Sequence, residues 1–267
     1  MKIQRIVLGI EYDGTGFHGW QSQTPGVATV QACLGAAISR VANHPVVLHG
    51  AGRTDAAVHA ICQVAHFDTS AQRPDRAWVL GSNAALPPDI NLLWARPVPE
   101  GFHARFSAIA RHYRYCILNR WARSALERHR WVWMHRPLDV ERMEVAAGLL
   151  IGEHDFSSYR ASGCQAHSPV RTIHYLRVTR HEDRVILSVG ANGFLHHMVR
   201  NIVGVLMAIG QGEYPPEWAS ELLAYRDRTR GGVTAPPWGL YFAGVDYPEQ
   251  FGLAGLSSRA THGLSST

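Results

Sequence analysis

The sequence predicts an α+β fold made of two similar units. Strand and helix patterns follow one another as β, α, β, β in each half of the 267-residue chain. Between the halves, Pro97, Pro99 and Gly101 interrupt the pattern. No sequence repeat is visible, so the duplication is inferred from the order of the elements alone.

The break suggests a domain boundary near residue 106. We predict an N-terminal domain over residues 1–106 and a C-terminal domain over residues 107–247. Residues 248–267 are rich in Gly, Ser and Ala, which predicts a flexible tail.

The predicted elements follow from apolar periodicity and from turn residues. In the first half, Thr29 is a candidate helix N-cap, and Asn43 and Pro45 end that helix. In the second half, Asp139 is a candidate N-cap. The predicted strands are 3–12, 46–48, 63–69, 90–98, 110–118, 173–180, 185–191 and 240–246. The predicted helices are 29–43, 75–85, 139–151, 195–209 and 217–224. Residues 119–130 and 157–172 are predicted loops.

Composition narrows the class of protein. A hydrophobic content of 46% supports a core, and no apolar run approaches the roughly 18 residues of a membrane span. The first residues carry no signal segment, which predicts a cytoplasmic protein. The four cysteines are far apart, which argues against a zinc site, and no metal ligand set is predicted.

Charge favours a polyanionic partner. The net charge is +5, and 25 of the 26 basic residues are arginine, which binds phosphate and stacks on bases. A GC-rich genome would produce the same arginine bias, so this observation alone does not establish RNA binding.

The segment from His49 to His59 contains the main candidate catalytic residue. Its sequence, His-Gly-Ala-Gly-Arg-Thr-Asp-Ala-Ala-Val-His, combines turn-forming glycines with Arg53 and Asp55. It is not a dinucleotide-binding fingerprint, because Asp55 stands where the third glycine is needed. Taken alone, the loop fits either a surface Arg–Asp pair or a functional carboxylate.

This loop resembles the active-site loop of the bacterial tRNA pseudouridine synthase A family. Three other stretches resemble the same family in the same order. They are Glu11-Tyr12-Asp13-Gly14-Thr15 with Gly19-Trp20-Gln21, Arg111-His112-Tyr113-Arg114-Tyr115, and the run from His196 to Gly204. Together the four stretches span nearly the whole chain.

The resemblance implies a role for each candidate site residue. Asp55 would be the nucleophile, Arg200 would hold its guanidinium against the Asp55 carboxylate, and Tyr113 would stack on the target uracil. Leu240 would pack under the site, and Arg53 would help to extrude the base or bind its phosphate. No cofactor and no metal are implied.

The resemblance also implies a fold, a substrate and an oligomeric state. The two domains would join their mostly antiparallel sheets, with helices on one face and a catalytic cleft between the domains. A homodimer would convert uridine to pseudouridine at positions 38, 39 and 40 in the anticodon stem-loop of tRNA. Two other functions stay open from the residues alone: a non-catalytic RNA-binding protein with a basic cleft, and a glycoside or nucleoside hydrolase, which would normally need a second carboxylate.

Overall fold

A computed structural model describes residues 3–24 and 26–256. The described chain forms two compact units, each of mixed α and β structure. The first unit contains the chain up to Ile109 and returns at Tyr241, and the second contains Ala110–Leu240. The predicted α+β class is confirmed.

The first unit is a mostly antiparallel sheet with two helices. Its strands lie in the order β4-β1-β3-β10, with the short β2 also paired to β3. β10 runs parallel to β3, with Tyr241 opposite His59. The helices pack on each other, and α2 also packs on β4. The elements are β1 (Gln4–Tyr12), α1 (Val30–Ala42), β2 (His49–Gly50), β3 (His59–Thr69), α2 (Asp75–Asn83), β4 (Ile90–Val98) and β10 (Leu240–Asp246).

The second unit repeats this plan with a more deeply buried helix. Its strands lie in the antiparallel order β5-β9-β8-β7, and β6 is parallel to β5. Ten of the thirteen residues of α4 are buried, so α4 forms the core of this unit. The elements are β5 (Ala110–Asn119), β6 (Val132–Met134), α3 (Val140–Gly148), β7 (Gly152–Asp155), β8 (Val170–His181), β9 (Arg184–Ala191), α4 (Met198–Gly210) and α5 (Trp218–Tyr225).

Several element predictions differ from the structure. The strand predicted from residue 63 begins at His59, and β6 and β7 were not predicted. Two further predictions are wrong for identifiable reasons. Residues 46–48 form no strand, because Val47 is 70% exposed and the Val46 N–H donates to the Ser39 hydroxyl at 3.1 Å instead of to a neighbouring strand. The predicted helix from residue 195 begins only at Met198, because His197 adopts a left-handed backbone with φ 59°.

The end of the described chain differs from the predicted division. The structure assigns β10 from Tyr241 onward to the first unit, whereas the sequence analysis places residues up to 247 in the second domain. Pairing with β3 explains the difference. Residues 248–256 also pack: the Phe251 ring lies 5.2 Å from that of Phe102, and Leu253 is buried. The part of the predicted tail at residues 257–267 lies outside the described residues.

Among the described residues, no helix combines the length and the apolar character that crossing a lipid bilayer requires.

Candidate functional site

Asp55 lies in the loop that connects β2 to β3. Its side chain is half-buried, whereas Thr54 beside it is buried. The loop leaves β2 with the Ala51 N–H donating to the Val64 carbonyl at 2.7 Å. It then turns back at Ala57, whose φ is 62°. The carboxylate is therefore carried by a fixed backbone with access to solvent.

Two sequence motifs that precede the loop by about forty residues hold it in place. The Tyr12 hydroxyl and the Thr54 hydroxyl form a buried hydrogen bond of 2.8 Å. The backbone N–H of Trp20 donates to the Thr54 carbonyl at 3.1 Å. Burial raises the pKa of Tyr12, so its hydroxyl stays protonated.

Glycine is required where these motifs approach the loop. Gly19 has φ +88°, and a Cβ there would lie 2.6 Å from the Thr54 carbonyl oxygen and 3.1 Å from the Asp55 carbonyl carbon. A Cβ on Gly14 would overlap the Val58 carbonyl. Because neither position can accept a side chain without moving the backbone, the motif glycines fix the position of Asp55.

Helix α1 is anchored to the same motif. The N–H groups of Val30 and Gln31 donate to the carbonyls of Gly19 and Trp20 at 3.2 and 3.0 Å. Thr29 stands at the N-cap as predicted, but its side chain makes no capping bond. Backbone carbonyls of the motif therefore accept hydrogen bonds from N–H groups at the start of the helix, which a capping side chain would otherwise accept.

His59 closes the loop on its other side. Its Nδ1 accepts from the Gly14 N–H at 3.0 Å, and its ring stacks on Tyr241 with centroids 4.8 Å apart. His59 is 2% exposed, so its contacts are those of a buried structural histidine. Arg53, by contrast, is exposed, and in the described part of the chain its guanidinium has no hydrogen bond or ion pair.

Three histidines lie together where the loop begins. The His66 ring lies 5.0 Å from His49 and 4.6 Å from His103. Burial, together with the positive charges of His103, Arg5 and His49, lowers the pKa of His66 to about 4. The Ala104 N–H donates to its Nδ1 at 3.1 Å, which also favours the neutral ring.

In the second unit, Tyr113 lies on β5 and is half-buried. The ring of Phe194 meets it edge-on, with centroids 5.0 Å apart. Tyr115, two residues on, is 1% exposed, and its hydroxyl donates to the Pro236 carbonyl at 2.8 Å. Of these two tyrosines, Tyr113 has the accessible ring, and Tyr115 belongs to the core.

Arg200 lies in the first turn of α4 and is half-buried. Its Nε donates to the Ala235 carbonyl at 2.8 Å, and its own carbonyl accepts from the Ala235 N–H at 3.1 Å. The second unit thus fixes this arginine through a two-way contact with the segment that leads to β10.

Asn201, also on α4, is a buried polar residue that the apolar periodicity of the sequence did not single out. It is 2% exposed, and its amide donates to the Tyr159 carbonyl at 2.8 Å. Its oxygen accepts from Arg228 at 3.0 Å and from the Thr234 hydroxyl at 2.7 Å. An asparagine in a helix that is otherwise apolar apart from Arg200 was the available signal, because a buried amide needs partners.

Leu240 is buried at the start of β10, after the 3-10 turn of residues 237–239. A Cβ on the preceding Gly239 would lie 2.8 Å from the Cys116 carbonyl oxygen. Gly239 therefore allows this turn to lie against β5, and the turn sets the position of Leu240.

Neither unit, taken by itself over its described residues, groups three His, Cys, Asp or Glu side chains in a way that would hold a metal ion. The candidate residues of each unit are instead a carboxylate on a fixed loop in the first, and an accessible tyrosine with a guanidinium on a buried helix in the second.

A carboxylate can act as a nucleophile, and arginines and accessible aromatic rings bind phosphates and bases, so the residues of the two units suit an enzyme that acts on RNA. The profile of the family described as tRNA pseudouridine synthase matches residues 9–107 and 146–248. The chain therefore belongs to the tRNA pseudouridine synthase family.

Individual relatives agree over nearly the full length. The chain is 61% identical to a tRNA pseudouridine synthase A of Methylococcus capsulatus, over 94% of this chain and 92% of that protein. It is 60% identical to one of Nitrosococcus oceani, over 96% and 99%. It is 56% identical to one of Pseudomonas aeruginosa, over 94% and 88%. The family resemblance predicted from the motifs is confirmed.

Proposed function

We propose that this chain isomerises uridine to pseudouridine in tRNA, at positions 38, 39 and 40 of the anticodon stem-loop. The observation that carries the proposal is the family match, which includes the Asp55 loop and both motifs that hold it. The net charge of +5 suits a polyanionic substrate.

Asp55 is the proposed nucleophile. The reaction breaks the bond between uracil N1 and ribose C1′, turns the base, and joins C5 to C1′, while a proton leaves C5 and another binds N1. A carboxylate is suited to this exchange because it can attack or stabilise an electron-poor sugar carbon. Because the product is an isomer, the reaction needs neither water nor a redox partner.

The other candidate residues have proposed roles in substrate binding. Tyr113 supplies a ring on which the uracil stacks, and Leu240 supplies apolar support. Arg53 and Arg200 supply positive charge, Arg53 from an exposed loop position and Arg200 from a half-buried helix position. Base extrusion costs about a few kcal/mol, which phosphate contacts offset.

The proposal also covers the oligomeric state, the location and the cofactor requirement of the enzyme. The chain acts as a homodimer in the cytoplasm, and it uses no cofactor. Sedimentation of the pure protein tests the dimer, which a single monomeric species would contradict.

The activity is tested by incubating the protein with an unmodified tRNA transcript in buffer without added cofactor. Pseudouridine at positions 38, 39 or 40, with no change in mass, is the expected product. Release of free uracil would instead identify a hydrolase. Binding without any product would identify a non-catalytic RNA-binding protein.

A further inference from the structure

A cavity of about 270 Å³ lies in the second unit, beneath the segment that joins β5 to α3. Its volume is close to the lower end of the range for small-ligand sites, roughly 300–1,000 Å³. Tyr113, Arg200 and Leu240 do not line it, so it is separate from the residues proposed for catalysis. Its main lining residues are Arg123, Arg128, Trp131, Trp133, Pro236 and Trp238.

The segment above the cavity, residues 120–136, is held in one conformation. At its base, the Asn119 amide donates to the carbonyls of Met134 and Arg136 at 2.9 and 2.7 Å. The Trp133 indole N–H donates to the Arg120 carbonyl at 2.9 Å. On one flank, Arg184 pairs with Glu127 at 3.0 Å. These contacts fix the position of the cavity wall.

The cavity combines aromatic rings with guanidinium groups. Trp133 is 42% exposed and Trp238 is 38% exposed, whereas a tryptophan ring is usually well buried. Arg123 is exposed and has no hydrogen bond or ion pair within the described chain. No acidic side chain is among the cavity's lining residues in the described structure.

This chemistry fits an unstacked nucleotide. Indole rings stack on any base, and arginine binds the adjoining phosphate while it also stacks. An uncharged peptide or lipid would not need the arginines, and an acidic peptide or a phospholipid would supply a charge but no planar base for the indole faces.

A second copy of the chain fits less well. In a two-fold interface the same surface meets itself. Residues 120–136 contain five arginines and only one acidic residue, Glu127, which is already paired with Arg184. Such an interface would bring like charges together, which is unfavourable.

We propose that this cavity is a second tRNA-binding subsite, which takes a nucleobase other than the target uridine between its tryptophans while Arg123 and Arg128 bind the adjoining phosphate. The inference rests on the proposed function only for the identity of the RNA ligand, which is taken to be tRNA. Its role is to position the substrate, so it contributes to affinity and not to the chemical step.

The test measures binding of an unmodified tRNA transcript to the full chain over a range of salt concentrations. Arg123→Ala should weaken binding and reduce the slope of log K against log salt by about 0.7 to 0.9, the value for one lost phosphate contact. Trp133→Leu should weaken binding about tenfold with an unchanged slope, because stacking releases no counterions. Neither variant should change kcat at saturating tRNA.

Matched variants separate this subsite from a general effect. Trp133→Phe loses the same indole hydrogen bond as Trp133→Leu but keeps an aromatic face, so it should restore most of the affinity. Trp121→Ala removes an 89%-exposed tryptophan of the same segment that does not line the cavity. Arg177→Ala removes one positive charge from the exposed side of β8. Both controls should bind like the wild type.

Three results would overturn the proposal. These are affinities of Arg123→Ala and Trp133→Leu within twofold of the controls, a lower kcat, or a change in sedimentation that reveals a subunit contact. Because affinity and pseudouridine formation are measured separately, a wild type that binds the transcript but makes no pseudouridine refutes the proposed activity and still allows the variants to be compared by affinity.

Discussion

The two units hold their candidate residues by different means. In the first, backbone hydrogen bonds and glycine contacts fix the Asp55 loop, as at Gly19 and Trp20. In the second, a buried polar network of side chains around Asn201 fixes the start of α4. The comparison teaches that the first site is sensitive to added volume, whereas the second is sensitive to the loss of a single polar group.

The largest expected effect is on turnover, and it tests the Asp55 side chain apart from the loop that positions it. Asp55→Asn keeps the shape of the side chain but removes its charge and nucleophilicity. Turnover should fall by about 10³-fold or more, with tRNA affinity within a few-fold of the wild type. Pseudouridine assays and binding titrations measure the two quantities. A variant that retains a tenth of the wild-type rate would refute the role of Asp55.

The next effect tests the polar network of the second unit. Asn201→Ala removes the acceptor of the Thr234 hydroxyl, the donor to the buried Tyr159 carbonyl and one of the acceptors of Arg228, which keeps the Gly232 carbonyl. The free energy of unfolding should therefore fall by about 2–4 kcal/mol. Urea unfolding measures it. The surface control Arg177→Ala should stay within about 0.5 kcal/mol of the wild type. Equal stabilities of the two variants would show that the network does not support α4.

The free energy of unfolding should depend on pH because of His66, a buried residue of the first unit. The pKa of His66 is about 4 in the folded chain against 6.5 in the unfolded one. Only the unfolded chain binds the proton between these values, so the stabilisation is complete above pH 6.5 and is lost as the pH falls toward 4. This histidine should therefore make the wild type about 2 kcal/mol less stable at pH 5 than at pH 7.

His66→Gln is the matched variant, because it removes the titrating group and leaves His49, His103, Arg5 and Asp68 in place. The difference in unfolding free energy between variant and wild type should change between pH 7 and pH 5, in favour of the variant at pH 5. A difference that is constant with pH would show that His66 titrates normally.

The smallest effect concerns one hydrogen bond behind the loop. Tyr12→Phe leaves the Thr54 hydroxyl buried without its partner and should lower stability by about 1 kcal/mol. Adding Thr54→Val removes the unsatisfied group, so the double variant should be less destabilised than the sum of the single variants. Strict additivity in urea unfolding would mean that the two hydroxyls do not interact.

Local patterns predicted most of the fold. Strand β10 was predicted at its observed limits, and the predicted strands 173–180 and 185–191 fall within β8 and β9. The failure at residues 46–48 has a physical cause, since three apolar residues do not distinguish a strand from an extended connection. The parallel pairing of β10 with β3 was not predictable, because it joins residues about 180 positions apart.

The candidate site was predictable where a motif carries it. The motifs indicated Asp55, Tyr113 and Arg200, but periodicity alone assigned no role to Asn201 beside Arg200. Its contacts come from Tyr159, Arg228 and Thr234, which are distant in sequence. The roles of Asp55, Tyr113 and Arg200 remain predictions, whereas the family resemblance that suggested them is confirmed by the family match.

The return of the chain to the first unit affects the order of events during translation. The second unit is continuous from Ala110 to Leu240, so all of it has been synthesised before the first unit receives its last strand. The late segment brings Phe242, which is fully buried and lies beside Gly52 of the Asp55 loop. It also brings the Tyr247 hydroxyl, which donates to the Ala104 carbonyl at 2.7 Å. Although Asp55 leaves the ribosome early, the packing around its loop is completed only after nearly the whole chain has emerged, so a ribosome stalled before Tyr241 carries a first unit without its closing strand.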